Sequence, residues 1–374
     1  MSSNDITIGQ VLSLLLLSLL LTSCTNEKIE LKKSTYNINQ CNKKTYTNRD
    51  LENYKQLIKD KEIQGYNCVG LYYMRSKDYK KAEKYFNQGR AKGNIESYTQ
   101  LGSLYSNFLR NKEKAIEYYK IAANNGEVKA AHNLGVIYDN KFAYKEALKW
   151  YEKSFNSGDT YSLLAMGTIY LKQEKLKKAI DTFFKVGELG ESGGYYNLGI
   201  LYRKNKEIKD LKKAEEYFQK CLNLGNATCA GGIGTVYEDL KDYEKAIEWY
   251  KKGFELKSEE SANRLGFIYW EVLKDYEKAI YWFNKGYKDL NCISCLANIG
   301  NIYAVSLKDF DSAIKWYKKA SELGYVDSTY NIGYTYEVDL NDKENAIKWY
   351  KKAAKDGDEI AIGKLKKLGV TYEQ

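Results

Sequence analysis

One period governs this chain. A motif of the form Leu-Gly-x-Ile-Tyr recurs with its glycine at Gly70, Gly102, Gly135, Gly167, Gly199, Gly234, Gly266, Gly300 and Gly333, at intervals of 32 to 35 residues. A second mark, an alanine followed by an apolar pair as in Ala246-Ile247-Glu248-Trp249-Tyr250, falls at Ala82, Ala115, Ala147, Ala179, Ala214, Ala246, Ala279, Ala313 and Ala346. A period of this length sustained nine times specifies helical hairpins stacked on one another, because one hairpin cannot bury its own apolar face. The expected fold is therefore all-α: a right-handed αα-hairpin solenoid, or superhelix, of about nine repeats with degenerate end caps over residues 50–374.

The intervals locate the turns. Eleven residues after each ruler alanine stands Gly93, Gly126, Gly158, Gly190, Gly225, Gly324 or Gly357, with Lys257 and Leu290 in the other two repeats. A helix C-cap accounts for the preference, since glycine adopts the left-handed conformation without a Cβ clash. From this point to the next ruler glycine is nine residues, except for ten between Leu290 and Gly300. The stretch from ruler glycine to ruler alanine varies from 12 to 15, so that loop is expected to absorb the insertions. Helix A carries small or apolar residues three and four apart, such as Ala131, Leu134, Gly135 and Tyr138; helix B does the same with Ala147, Trp150, Tyr151 and Ser154. The rulers are small so that facing axes can approach, and the rings between them are core rather than a cofactor box. Tyrosine, 36 times in the chain, suits places where a buried ring must still offer its hydroxyl a partner. Leu51, Tyr54, Leu57 and Ile58 mark a leading helix, and Ile360, Ile362, Leu365 and Leu368 a lysine-rich closing one.

The N-terminus reads as an address. An apolar run ends at Leu21 and is followed by Thr22-Ser23-Cys24. It is short for a membrane span and placed as a secretory signal, although residues 1–23 contain no Lys or Arg. Leu21-Thr22-Ser23-Cys24 resembles a bacterial lipobox, which implies cleavage before Cys24 and its diacylation; a plain cleaved signal and an uncleaved anchor are the alternatives. The expected organisation is a signal peptide over 1–23, a polar tether over 24–49 and the solenoid beyond. Thr25 in place of Asp is what that pattern associates with export to an outer membrane, so the expected location is the cell envelope.

Leu134-Gly135-x-x-Tyr138 followed by Ala147, Tyr151 and Ser154 resembles the tetratricopeptide signature. Ala346-Ile347-Lys348-Trp349-Tyr350-Lys351-Lys352-Ala353-Ala354-Lys355-Asp356-Gly357 is still more similar to a Sel-one-like repeat, and Ala131-His132-Asn133-Leu134-Gly135 to the opening of that repeat's next helix. The resemblance covers residues 66 to 365. It departs from the tetratricopeptide pattern in having no proline, and from the Sel-one-like pattern in replacing its glycine-containing loop by turns such as Leu240-Lys241-Asp242. Members of these families are mainly adaptors and scaffolds, which implies a protein or peptide partner here. By analogy with exported relatives, the alternative is an envelope hydrolase acting on cell wall or β-lactam.

Besides Cys24 there are six cysteines, an even number that permits full pairing in an oxidising compartment. Cys221 and Cys229 flank the Gly225 turn, which brings them across a helix junction; their spacing is also similar to the repeat disulfide of cysteine-rich Sel-one-like proteins. Cys292-Ile293-Ser294-Cys295 is readable as a local disulfide, as free buried thiols or as a redox pair. Cys41 with Cys68 remains by elimination. No second set of ligands stands near the CxxC for a metal, and no cofactor is implied.

The formal charge is +10, yet the lysines cluster in helix B, as in Lys251-Lys252, Lys318-Lys319 and Lys351-Lys352, where they face solvent. No nucleic-acid motif accompanies them. In the tetratricopeptide register the inner face comes from helix A positions three before and one, four and five after the ruler glycine. Toward the C-terminus this selects Glu238, Phe267, Trp270, Glu271, Tyr330, Tyr334 and Glu337, an aromatic and acidic groove that would take a basic partner if the rings are not packed between neighbouring A helices. In the middle it gives Tyr196, Ile200, Arg203 and Lys204. Asn133, Asn197, Asn298 and Asn331, two before the ruler glycine, suit ties between helices. The sole histidine, His132, has no sequence partner that marks it as catalytic, and the chain is expected not to be an enzyme.

Overall fold

The computed structural model describes residue 41 and residues 47–371; the lipobox with Cys24 and most of the tether lie outside the described residues. The chain divides into two compact units, residues 1–169 and 170–374. In the first unit α1 (Asn48–Lys59) leads into α2 (Gln64–Arg75), α3 (Tyr79–Ala91), α4 (Ile95–Asn107), α5 (Lys112–Asn124), α6 (Val128–Asn140) and α7 (Tyr144–Asn156), and α8 (Thr160–Lys172) runs across the division. The second unit continues with α9 (Leu176–Glu188), α10 (Ser192–Lys204), α11 (Leu211–Asn223), α12 (Thr228–Asp239), α13 (Tyr243–Glu255) and α14 (Glu259–Phe267). It ends with α15 (Tyr276–Leu290), α16 (Ile293–Asn301), α17 (Phe310–Glu322), α18 (Val326–Tyr334), α19 (Lys343–Lys355) and α20 (Glu359–Lys367). Among the described residues there is no strand, and within each unit every helix packs on its neighbours in the chain: an αα-hairpin repeat solenoid.

The ruler glycine is required by a ring. Four residues after each ruler alanine stands Phe or Tyr, and in eight repeats this ring packs against the glycine of the partner helix: Phe86 on Gly70, Tyr119 on Gly102, Tyr151 on Gly135, Phe218 on Gly199, Tyr250 on Gly234, Phe283 on Gly266, Tyr317 on Gly300 and Tyr350 on Gly333. A Cβ on Gly234 would stand 2.5 Å from Tyr250 Cε1, inside van der Waals contact. The ruler alanines are fully buried beside these rings. Consecutive repeats meet over a second small-residue contact, as where Gly253 of α13 faces Ser261 of α14. At the α11–α12 junction the same contact is made by Cys221 and Cys229, with Cα atoms 6.0 Å apart and their sulfurs at bonding distance. Cys292 pairs with Cys295 (Cα–Cα 5.4 Å) and Cys41 with Cys68 of α2 (5.1 Å).

Both kinds of turn are built from backbone chemistry. After helix B, the seven cap glycines take φ between 83° and 101°, as the left-handed cap demands. Lys257 takes the same region at φ 70°. Leu290 does not: α15 runs on through it, and Asn291 at φ 57° makes the turn, which is where the tenth residue goes. After helix A, the tyrosine three beyond the ruler glycine offers its carbonyl to the N–H of the next helix's N-cap, as in Asp242 N to Tyr237 O, 2.9 Å, and Asp275 N to Tyr269 O, 2.8 Å. The N-cap aspartates accept from the backbone three residues on, and after Asp78, Asp210, Asp242 and Asp275 a lysine there pairs with the Asp while lying over the tyrosine; Lys245 is 3.2 Å from Asp242 and 5.2 Å from the Tyr237 ring centre. The residue before the cap is left-handed without being glycine, as at Lys77, Lys241, Lys274, Lys308 and Asn341.

The expectation that the A–B loop absorbs insertions holds for the fifth repeat, whereas in the second, where the rulers are 13 apart, the extra residue goes into one widened turn with Leu109 N bonded to Leu104 O at 3.0 Å. In the last three repeats the extra residue lies inside helix A, which closes in a π turn at Ile268–Val272, Ile302–Leu307 and Thr335–Asp339. The wider ring is explicit in Leu273 N to Ile268 O and Leu340 N to Thr335 O, both 3.0 Å. Widening one turn keeps both the tyrosine carbonyl and the aspartate cap in place, whereas a longer loop would leave backbone groups to be satisfied anew. At the ends, Tyr54 of α1 is buried on α2, Leu365 of α20 is buried, and Ile360 faces solvent.

Two outcomes follow from this packing. Gly234→Ala should lower stability by about 1–3 kcal/mol in chemical denaturation, although alanine is the better helix former, because the methyl displaces the Tyr250 ring. Lys241→Gly should instead raise stability by roughly 0.5–1 kcal/mol, since relief of a left-handed lysine exceeds the added freedom of the unfolded chain.

Candidate functional site

The inner-face register of the second unit is built on the ring–glycine contact, because each ring's far edge emerges there. Where the ring is tyrosine, the position one or four after the ruler glycine is polar, and for Tyr119, Tyr317 and Tyr350 it bonds the hydroxyl, whereas the Tyr250 hydroxyl is buried without a hydrogen bond among the described residues. Tyr317 Oη donates to Asn301 Oδ1 at 2.7 Å, Tyr350 Oη donates to Glu337 Oε2 at 2.6 Å, and Tyr119 shares a 2.9 Å bond with Ser103. Tyr151 and Tyr250 have Asp139 and Glu238 as electrostatic neighbours. Where the ring is Phe86, Phe218 or Phe283 the same two positions hold Leu71 and Met74, Ile200 and Arg203, and Phe267 and Trp270, none a carboxylate or hydroxyl, while the Phe183 repeat has Thr168 there; Phe267 meets Phe283 edge to face at 5.5 Å. Burial raises both the Tyr250 and the Tyr350 hydroxyl well above the ordinary range, so each stays protonated and able to donate.

Position four after the glycine proves to be a link between repeats. Glu238 Oε2 lies 3.7 Å from Arg264 of the next A helix, and Glu337 Oε2 lies 2.9 Å from Lys364 Nζ of α20, the equivalent position. Arg203 Nε stands 3.4 Å from Asp239 Oδ2. Trp270 fills the same role with its indole: it is 7% exposed, stacks on Phe267 with ring centres 5.8 Å apart, and donates from Nε1 to Ser306 Oγ at 2.8 Å. The expectation that Trp270 is a solvent-facing anchor is thus corrected, because the ring packs between neighbouring A helices and its N–H is consumed there. The acidic field is corrected in the same way. Glu238 and Glu337 already hold cations of this chain, and the exposed Glu271 carboxylate is 3.5 Å from Lys274 Nζ. Burial raises Glu238 despite the nearby Arg264. Burial would raise Glu337 too, but hydrogen bonds from Tyr350 and Lys364 outweigh it and hold the carboxyl below the usual 4.5.

Of the residues selected from sequence, Tyr330 packs against the Tyr350 ring at 5.4 Å and near Tyr334 at 6.4 Å. Phe267 and Tyr334 keep 36% and 43% of their surface. Val305 and Val338 also belong to the sequence-derived register; what sequence reasoning passed over is the π turns that expose them together with Val272, the signal of these turns being a spacing of 13 rather than 12 between the rulers, shared with the second repeat. Among the amides, Asn298 Nδ2 donates to Asn263 Oδ1 of the preceding A helix at 3.0 Å, the tie expected, while Asn197 bonds within its own helix to Gly193 O.

The polar cluster around the sole histidine lies in the first unit. His132 Nδ1 is 2.9 Å from Asp159 Oδ2 and 2.8 Å from Ser162 Oγ, and Ser162 and Ser154 both donate to the same Asp159 oxygen. A nucleophilic triad needs Asp and Ser on opposite ring nitrogens and an accessible hydroxyl; here both share Nδ1 and Ser162 is fully buried. Burial works to raise the Asp159 carboxyl, but hydrogen bonds from Ser162, Ser154 and His132 prevail and lower it. The cluster ties α6 to the α7–α8 turn. Among the described residues no group of three or more His, Cys, Asp or Glu is placed to hold a metal ion, and no helix is long and apolar enough to cross a membrane.

Comparison with known families agrees with this grammar. The Sel1 repeat matches residues 67–94, 95–127, 192–226 and 260–289, and tetratricopeptide repeats match 128–157, 229–260, 293–323 and 326–355, so the chain carries both. Among solved structures, a protective antigen of uropathogenic Escherichia coli displaying an SLR fold is 23% identical, with 86% of this chain and 84% of that one covered and a TM-score of 0.39. A Sel1 repeat protein from Oxalobacter formigenes is 21% identical over 76% and 90% (TM-score 0.47), and yeast Tom70 is 12% identical over 83% and 89% (TM-score 0.50). No curated protein matches the chain significantly.

Trp270→Ala should behave as a core truncation and lower stability by about 3–5 kcal/mol in denaturant titration. Glu337→Gln should lower it by roughly 1–2 kcal/mol at neutral pH. Because the folded carboxyl titrates below its ordinary value, its contribution is complete above 4.5 and fades as pH falls through the folded pKa. The difference between wild type and variant should therefore narrow in strong acid, as read from unfolding midpoints against pH.

Proposed function

We propose that the chain is an exported, lipid-anchored repeat scaffold that holds a protein or peptide partner at the cell envelope, on the A-helix face of its C-terminal repeats. The observation that carries the binding part is the change of character along one register. Five residues after the ruler glycine stand Arg75, Asn107, Asn140, Lys204 and Asp239 in earlier repeats, and Val305 and Val338 in the last two, both more than half exposed. Apolar side chains held out of the core on a rigid repeat are characteristic of a docking face. The Sel1 and tetratricopeptide repeats, a fold typical of protein-interaction scaffolds, support the same reading. The anchoring part rests on Leu21-Thr22-Ser23-Cys24 and the apolar run before it, and the outer membrane is the proposed destination on the strength of Thr25. Six paired cysteines accord with an oxidising compartment.

Expression with and without Cys24→Ala, followed by membrane fractionation and intact-mass measurement, tests the anchor. The wild type should begin at Cys24, carry acyl chains and sediment with membranes, and the variant should do none of these. Equal fractionation and equal mature mass apart from the substitution would overturn it. Affinity capture from the envelope tests the scaffold: a protein retained by the full chain supports it, and the absence of any retained protein counts against it.

A further inference from the structure

The three π turns expose Val272, Val305 and Val338, the last two at register positions that are polar in the other repeats, and an exposed leucine, Leu273, Leu307 or Leu340, lies one or two residues beyond each valine. The first two turns are joined by the hydrogen bond from Trp270 to Ser306, so they form a continuous edge rather than isolated bumps. The second and third enclose a cleft of about 300 Å³, lined by Val305, Lys308, Asn331, Tyr334 and Asp339 among others. Asn331 has no hydrogen-bond partner for its side-chain amide among the described residues, unlike Asn298 one repeat earlier.

We infer that these turns form a docking strip for an extended, uncharged apolar segment of a partner protein, with the cleft between Val305 and Tyr334 as its anchor pocket. This rests on the scaffold reading above and corrects the basic partner that the sequence alone points to. The charge on the strip decides the class of occupant. Glu271 is paired with Lys274, Glu337 with Lys364, and the cleft carries one cation, Lys308, against one anion, Asp339. A strip without net charge gains nothing from a charged ligand, which would lose hydration on docking; apolar side chains lose none. The free Asn331 amide, able to donate and accept, suits a peptide group of an extended chain rather than a bare hydrocarbon. The one-repeat spacing of the valines then selects apolar side chains at separated points along that segment.

Fluorescence anisotropy on the full chain tests this with three labelled peptides of about 12 residues, sharing a Ser/Gly frame and bearing Leu and Val, Lys, or Glu at the same places. The Leu/Val peptide should bind alone, with affinity little changed between about 50 and about 300 mM salt. Val305→Asp should weaken it about 10-fold or more and Tyr334→Ser several-fold, while Tyr281→Ser, exposed on helix B, should leave it unchanged. Unaltered circular dichroism and unfolding midpoints establish that the variants fold, and Tyr334→Ser keeps the test open if Val305→Asp does not. Tighter binding of the Lys or Glu peptide, wild-type affinity in both strip variants, no binding by any peptide, or a dimer dissociated by Val305→Asp in sedimentation would each overturn the inference. Envelope capture separates its failure from that of the scaffold reading. A partner retained by wild type and Val305→Asp alike removes the strip and leaves the scaffold, and a wild type that retains nothing removes both.

Discussion

An aromatic ring packed directly against a glycine is the contact on which the repeats depend. Because Tyr250 rests directly on Gly234, helices α12 and α13 approach as closely as two backbones with one ring between them, and Ala246 fits at the same interface. That depth brings the ring's far edge through to the opposite face, where the hydroxyl of a tyrosine becomes available. The composition of the A-helix face is therefore partly a structural matter: Asn301 and Glu337 are there to receive Tyr317 and Tyr350. Polar residues that read as ligand contacts first satisfy the core, since a buried hydroxyl without a partner costs about 1–3 kcal/mol.

The elements and their boundaries were legible because a repeat repeats its own evidence. Nine copies of a Gly–Ala grammar fixed which residues face inward, and seven of nine cap glycines located the B–A turns. The Cys221–Cys229 junction was readable because the two residues flank the Gly225 turn between helix B and the next helix A. What was not legible depends on contacts between neighbouring repeats. The pairing of Glu238 with Arg264 and of Glu337 with Lys364 spans 26 and 27 residues, and nothing local announces it. Trp270 was misplaced because its hydrogen bond goes to Ser306, in a turn whose geometry a regular helix register does not contain. One extra residue was visible in the spacing, but whether it loosens a loop or widens a helix turn is decided by the tyrosine carbonyl and aspartate cap that hold both ends of the connection.

Those interlocks also explain how the last repeat is finished. A terminal repeat lacks the next A helix that its position-four residue would contact. Here α20 supplies it, with Lys364 standing on Glu337 and over the Tyr334 ring at 5.8 Å, where Arg264 stands for Glu238. The closing helix thus reproduces one charge of a repeat while its outward side, with Lys366 and Lys367, is left to water. Part of the aromatic and acidic character at this end, Tyr330 and Glu337 above all, is therefore internal closure.

The bond between Cys41 and Cys68 has a mechanical consequence. It joins the segment ahead of α1 to the buried interior of α2, so α1 lies within a covalently closed loop of 27 residues' separation. Tension applied to the N-terminal segment passes through the sulfur bridge into α2 and bypasses α1. Without the bridge such a pull would peel α1 first, one helix turn at a time, and then expose the apolar flank of the first repeat. With it, force enters as shear on a helix locked by the Phe86–Gly70 contact, and reduction of a single disulfide would change how the molecule yields without altering its fold at rest.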